Sequence, residues 1–274
     1  MTTPALAEVD KATGLRVYRD PGSCELLPSV TSLISLARAE GLERWKRLQV
    51  ARLAVGRADL VRRRVAELGV EATIRRIVAA ADQAESSASR IGDQVHAYLE
   101  ARARGEVPGP VSPEAEGWLA GAEQFLEDFA PQFCAVEATV LNRTLGYAGT
   151  ADFLAVVGGT LVIGDYKTGK AVHGEVALQL VALARAEVLL DADGTEQPMP
   201  EVETGLVVHL RPELPRGFAV RRVELAETPW RRFEACLALW KTRELREFVG
   251  DALDGPDALV SPAGLVAKTG SPSA

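Results

Sequence analysis

The chain has 274 residues, 47% of them hydrophobic, enough for a sizeable core in one compact domain with an elaborated helical part. A formal net charge of −7 argues against tight, charge-driven binding to a long polyanion. Three widely spaced cysteines, Cys24, Cys134 and Cys236, contain no C-x-x-C pair and so exclude a disulfide framework or a zinc site as expectations. The opening MTTPALAEVDKATG has neither a basic region nor an apolar core, and no run is long enough to span a bilayer. No signal peptide and no membrane partner are therefore expected, and a cytoplasmic setting is.

In chain order, the pattern predicts a short strand at 15–18 and a helix at 32–39. Helical periodicity rich in Ala, Arg, Glu and Leu then dominates 42–103. A loop with Pro108, Pro110 and Pro113 follows, and Ser112 is placed to cap a helix carrying Trp118 and Phe125. Strands are expected at 135–141, 147–157 and 160–167, then a helix at 175–190 with Val176, Leu180, Leu183 and Val188 free to pack on a sheet. Two more strands, 205–210 and 218–225, precede a final helix capped by Thr228 and reaching about Phe248. After Asp251 the Gly, Pro and Ser content predicts a loose tail. The organisation is thus an N-terminal strand and helical subdomain (1–110), a mixed α/β core (111–250) and the tail (251–274), without internal repeats.

The most informative stretch is GTADFLAVVGGTLVIGDYKTGK, residues 149–170. Thr150, Asp152 and Leu154 alternate with Ala151, Phe153 and Ala155, and Gly158-Gly159 is a strong hairpin signal before the apolar run 161–163. Side chains two apart on a strand share a face, so Asp165 and Lys167 project together. An antiparallel return at Gly158-Gly159 brings Asp152 towards Asp165. Two acids and a lysine at one sheet edge make a site for a hard divalent cation, which prefers oxygen ligands. The bland alternative is a hairpin with solvated acids, and for any single residue here it has the better prior.

G-T-A-D followed by an apolar strand and D-Y-K-T-G-K resembles motifs II and III of the PD-(D/E)XK nuclease superfamily, most closely its RecB-like, phage-type exonuclease branch. His96-Ala97-Tyr98-Leu99-Glu100 upstream is similar to that branch's helical H-x-x-x-E. Gln179 to Leu183 downstream is similar to its Q-x-x-x-Y, with Leu183 standing where many members have Tyr. Leu27-Pro28-Ser29-Val30-Thr31 and the following Trp45 resemble the start of phage-type members. The likeness spans 17–225. It implies a restriction-endonuclease-like core, a mixed central sheet flanked by helices, with an N-terminal helical subdomain. It implies Mg2+ or Mn2+ held by His96, Asp152, Asp165 and the backbone carbonyl of Tyr166. Lys167 becomes the catalytic lysine, working with Asp152 and Asp165, and Gln179 positions DNA or the lysine. Glu137 matches a variable acidic position that can approach a second metal. The four cysteines of the iron–sulfur-bearing relatives are absent. The implied activity is a metal-dependent deoxyribonuclease, an exonuclease of phage or bacterial recombination or repair. DNA is the implied partner, and a single-strand annealing protein a further one. A structure-selective or site-specific endonuclease, and a non-catalytic DNA-binding protein on the same core, are the rival readings.

His96 alone, beside the core-facing Val95 and Leu99, would read as a hydrogen-bonding residue at the edge of a helix face. Its place before the hairpin makes it a ligand in the resemblance. Glu100, four residues on, can hold its tautomer or be a surface acid. His173 and His209 read as structural. Residues 164–170, G-D-Y-K-T-G-K, also fit the first seven positions of a P-loop, but the next residue, Ala171, lacks the Mg2+-ligating hydroxyl, and Asp165 would repel phosphate. Thr168 and Lys170 then serve the turn after the strand, within reach of a DNA phosphate. Positive charge sits in the pairs and triplets Arg62-Arg63-Arg64, Arg75-Arg76, Arg221-Arg222 and Arg231-Arg232, each by default a solvated face.

Overall fold

Apolar residues on both faces of the strands at 147–167 require cover on two sides, and the structure supplies it with helices. The computed structural model describes residues 6–11, 13–36, 39–191 and 194–243, without the side chains of 39–46, 49 and 81–86. A three-stranded antiparallel sheet, β1 (Ala7–Val9), β2 (Arg16–Arg19) and β3 (Leu26–Pro28), opens the chain and leads into α1 (Val30–Leu36). Three helices follow, α2 (Ala39–Gly56), α3 (Ala58–Leu68) and the long α4 (Val70–Ala103), then α5 (Pro113–Phe129). The main sheet comprises β4 (Gln132–Asn142), β5 (Tyr147–Val157), β6 (Thr160–Lys167), β7 (Val188–Leu190), β8 (Glu196–Pro198), β9 (Thr204–Leu210) and β10 (Phe218–Val223). Helix α6 (Glu175–Ala184) lies between β6 and β7, and α7 (Glu227–Lys241) closes the described chain. The strand order β10-β9-β6-β5-β4-β7-β8 has one parallel pair, β6 with β9. This is a mixed α/β fold with a seven-stranded sheet flanked by helices, the architecture expected of a restriction-endonuclease-like core.

Each face of the sheet has its own core. Val140, Tyr147, Ala151, Ile163 and Val207 pack against α1, α6 and α7 through Leu33, Leu180, Leu183 and Phe233. Phe153, Ala155, Val162, Tyr166, Val208 and Leu210 pack against α4 and α5 through Val95, Leu99 and Phe125. Burying a side chain of this size contributes about 1.5–3 kcal/mol, so the two layers dominate the stability.

The hairpin forms as its sequence demands. Val157 pairs with Thr160, and Gly158 and Gly159 both take positive φ, 58° and 84°, the pattern of a two-residue primed turn. Elsewhere the structure corrects the expectations. Strict alternation along β5 fails, because Ala151 and Leu154 belong to the same core. Opposite the break, Glu137 of β4 adopts φ 50°, and the pair it would make with Asp152 is missing between Val136↔Phe153 and Ala138↔Ala151 although the register is unchanged; the register of these two strands shifts only at Phe133/Ala135. A left-handed residue in a strand interrupts the pleat and re-aims side chains. Helix α6 stops at Ala184 rather than 190: Asn142 Nδ2 donates to the Arg185 carbonyl at 2.9 Å, and the apolar 188–190 run pairs with β4 instead. The final helix starts at Glu227 with Ala226 as its cap, so Thr228 lies inside the first turn. Ser112 is the cap of α5, without a side-chain bond to the helix backbone. The expected helical stretch from 42 is broken at Arg57 and at Gly69, whose φ is 80°. Phe248 and the tail after Asp251 lie outside the described residues, as does the side chain of Trp45.

Candidate metal centre

The site forms where β5 and β6 separate. Their ladder ends at Phe153↔Gly164, and the next N–H of β6, that of Tyr166, donates instead to Asp152 Oδ2 at 2.7 Å. The carboxylate thus replaces a strand partner and is pinned at the fork. Extending the registers places Glu137, Asp152 and Asp165 in one row across three neighbouring strands. The irregular backbone at Glu137 turns its carboxylate into the fork. Ligand atoms of His96, Glu137 and Asp152 lie within 4.8 Å of one another. His96 projects from α4, with Nδ1 3.5 Å from Asp152 Oδ2 and Nε2 3.0 Å from the Tyr166 carbonyl. Its ring meets the Tyr166 ring edge-on, centroids 5.8 Å apart. The Tyr166 side chain points into the α4–α5 core while its carbonyl faces the site.

Asp165 stands on the other side of the fork, 2% exposed. Lys167 Nζ is 2.7 Å from each of its oxygens, and Gln179 Nε2 on α6 donates to Oδ1 at 2.8 Å. Only Oδ1 receives aligned hydrogen bonds; the buried Oδ2 receives none. Lys167 Nζ also lies 3.5 Å from Gln179 Oε1, so the ammonium is held between an acid and an amide.

Crowding three acids in a half-buried fork has an electrostatic consequence. Burial first, and the Asp152 charge second, push the Glu137 carboxyl up to about 7. The same two causes in the same order raise Asp165 to about 6, with Lys167 opposing them. Repulsion of this kind among Glu137, Asp152 and Asp165 is what a bound cation relieves. Carboxylates and a carbonyl with one imidazole are a donor set suited to a divalent metal.

Glu100 pairs with Arg104 on its own helix, while both ring nitrogens of His96 face Asp152 and Tyr166. Leu183 is buried, within reach of Gly149 and Val30. Thr168 lines the cleft, and Lys170 lies exposed beyond it. Gly164 to Lys167 are strand residues, so the P-loop spelling forms no phosphate loop. His173 is exposed and His209 is buried.

One wall of the cleft was not anticipated. The cleft has a volume of about 380 Å³, and besides Ser89, Gly92 and His96 of α4 it is lined by Arg16 and Tyr18 of β2, which carried no signal, and by Ser29 and Thr31 of the Leu27–Thr31 stretch. Tyr18 Oη and Thr150 Oγ1 are 2.8 Å apart, which ties this wall to β5 two residues before Asp152. The alternation of Thr150 with Asp152 was the available signal; nothing local marked Arg16 or Tyr18.

No protein-family model matches the chain, and no curated protein does. Among solved structures, the alkaline exonuclease LHK-Exo from Laribacter hongkongensis is similar at 15% identity with a TM-score of 0.29, over 58% of this chain and 87% of that one. Its complex with dAMP gives 15% identity and a TM-score of 0.28 over the same shares. Among the described residues, no helix is long and apolar enough to cross a membrane.

Proposed function

We propose that this chain is a divalent-metal-dependent deoxyribonuclease, an exonuclease that hydrolyses DNA phosphodiester bonds with Mg2+ or Mn2+. The observation that carries the reading is the fork itself: three acids in a row, a histidine and a carbonyl at one end, and a lysine clamped at the other. The motif likeness of residues 149–170, with His96 and Gln179 in matching order, supports the same reading and its exonuclease branch. Cytoplasmic action in phage or bacterial recombination or repair, beside an annealing protein, belongs to the same proposal.

Glu137, Asp152, Asp165, His96 and the Tyr166 carbonyl would hold the metal. When bound, such an ion makes a water more acidic and polarises a phosphoryl oxygen. The chain's own groups do the rest. Lys167 presents a cation beside the acids, where it orients a water or offsets charge building on the phosphate. Gln179 fixes Asp165 and limits the excursion of Lys167. The cleft wall of Arg16 and Tyr18 shapes the approach. Site acids draw the net charge down, so metal loading is required before a phosphate is welcome.

End-labelled linear duplex and closed circular DNA, each with Mn2+ or with chelator, test the proposal. Release of nucleotides from the linear substrate alone, only with metal, is expected. Nicking of the circle would transfer the site to an endonuclease, and binding without cleavage would make the chain a DNA-binding protein.

A further inference from the structure

We infer that His209 and Arg211 are positioning residues, holding the two backbone carbonyls after Lys167 so that its ammonium stays in register with the acids. The inference rests on the nuclease reading for the role of Lys167, and on geometry alone for the hold. Lys167 is the last residue of β6, and its partner in the parallel ladder is His209 of β9. Residues 168–174 then run without regular structure to α6. His209 is 7% exposed, between the fully buried Val208 and Leu210. A polar ring there needs a partner, and Nε2 lies 2.8 Å from the Gly169 carbonyl. A carbonyl only accepts, so the ring presents Nε2–H. Arg211, two residues on, donates from Nη1 to the Thr168 carbonyl at 3.4 Å, with its other nitrogens on Glu213.

Two successive carbonyls are therefore tied by side chains to β9 and to the residue that follows it, where the β-ladder itself has ended. The tie matters because Lys167, Thr168 and Gly169 line the cleft. Across the mouth, α4 comes close: a Cβ on Gly92 would stand 3.1 Å from Thr168 Oγ1. The loop is thus held from below by β9 and met from above by α4. A lysine reaches its site through a flexible four-carbon stem, so a shift of its backbone moves Nζ relative to both Asp165 and Gln179.

His209→Leu keeps the volume and removes the donor. We expect its kcat on linear DNA to fall about 10- to 100-fold, the scale of an ångström's misplacement, with KM changed less than about threefold. His209→Gln, whose amide N–H reaches about as far as Nε2, is expected to restore most of the rate. Hydrogen exchange gives a readout independent of activity: peptides covering 168–174 exchange faster in His209→Leu and at the wild-type rate in His209→Gln. Calorimetric Mn2+ binding stays unchanged in both. Should His209→Leu fail to fold, Arg211→Ala is expected to show the same loosening and kcat loss at smaller size. Unchanged exchange, equal losses in Leu and Gln, or a KM rise at constant kcat would overturn the inference. A loop that loosens in a protein whose wild type cleaves no DNA would overturn the nuclease reading alone.

Discussion

Asp20 is the place where one substitution should separate the small N-terminal sheet from the core. Its carboxylate is 2% exposed as a residue and receives Arg143 Nε at 2.9 Å, Arg143 Nη2 at 2.7 Å, Gly22 N at 2.9 Å and Ser23 Oγ at 2.9 Å. Arg143, on the β4–β5 turn, also meets Glu196 of β8 at 2.8 and 2.6 Å, but Glu196 is 40% exposed. Asp20→Ala leaves Arg143 35% exposed and still paired with Glu196, so no buried charge is stranded; what is lost is a charged acceptor of four hydrogen bonds, for which the upper end of roughly 1.5–3 kcal/mol, about 3 kcal/mol, applies. An exposed pair contributes under about 1 kcal/mol, so Glu196→Gln should cost no more. For a domain of this size that separates the melting points by roughly 6–12 °C and 0–4 °C below wild type. The Arg143 hydrogen bonds hold the Asp20 carboxyl far below the usual carboxylate range. Its contribution is therefore complete above the unfolded carboxylate value near pH 4 and is lost as pH falls towards the folded one. Urea melts of wild type and both variants at pH 7 and pH 3 measure this. Equal costs for the two variants at pH 7, or an Asp20→Ala deficit that does not shrink at pH 3, would refute the clamp.

Three further outcomes are expected. In chelated protein, Glu137→Gln should leave stability near that of wild type at pH 5 and raise it at pH 8.5. The folded carboxyl, raised to about 7 by burial and by the Asp152 charge, makes wild type lose stability as pH rises from the unfolded value near 4.5 through the folded one; denaturant midpoints at the two pH values check it. Gly164→Ala puts a Cβ 1.8 Å from Phe153 Cζ in a fully packed layer, so a loss of more than about 2 kcal/mol or no soluble protein is expected by thermal melting. Gln179→Ala should lower kcat about tenfold or more while leaving the melting point within a few degrees, since it frees Asp165 and Lys167 without opening the core; single-turnover cleavage measures it.

The hairpin was legible because its signals are local: two glycines at the turn, alternation along the strand, and Asp165 and Lys167 two residues apart. Their ion pair at 2.7 Å follows from that spacing. The approach of Asp152 to Asp165 followed from register. What escaped reading depends on contacts distant in sequence. The left-handed backbone at Glu137 breaks the pleat of β4, and no residue nearby announces it, since Glu has no preference for positive φ. Helix α6 ends because Asn142, 43 positions away, takes the Arg185 carbonyl. The short strands β1, β3, β7 and β8 have three residues each, too few to show a period. Asp20 and Arg143 are 123 positions apart, and Tyr18 and Thr150 132, so only the folded chain reveals either pair. His209 read as structural from its sequence. In the fold it is structural in a particular place, beneath the residues that follow Lys167.

On the nuclease reading we propose, the acid row, His96 and Lys167 form one metal-dependent hydrolytic site. Cleavage of end-labelled linear DNA by wild type, Asp165→Ala and Lys167→Ala, with Mn2+ and with chelator, tests it most directly. Cleavage by the wild type with Mn2+ only is expected, and a loss of at least about 100-fold in both variants with their melting transitions retained. Cleavage that persists in chelator, or in either variant at the wild-type rate, would contradict it.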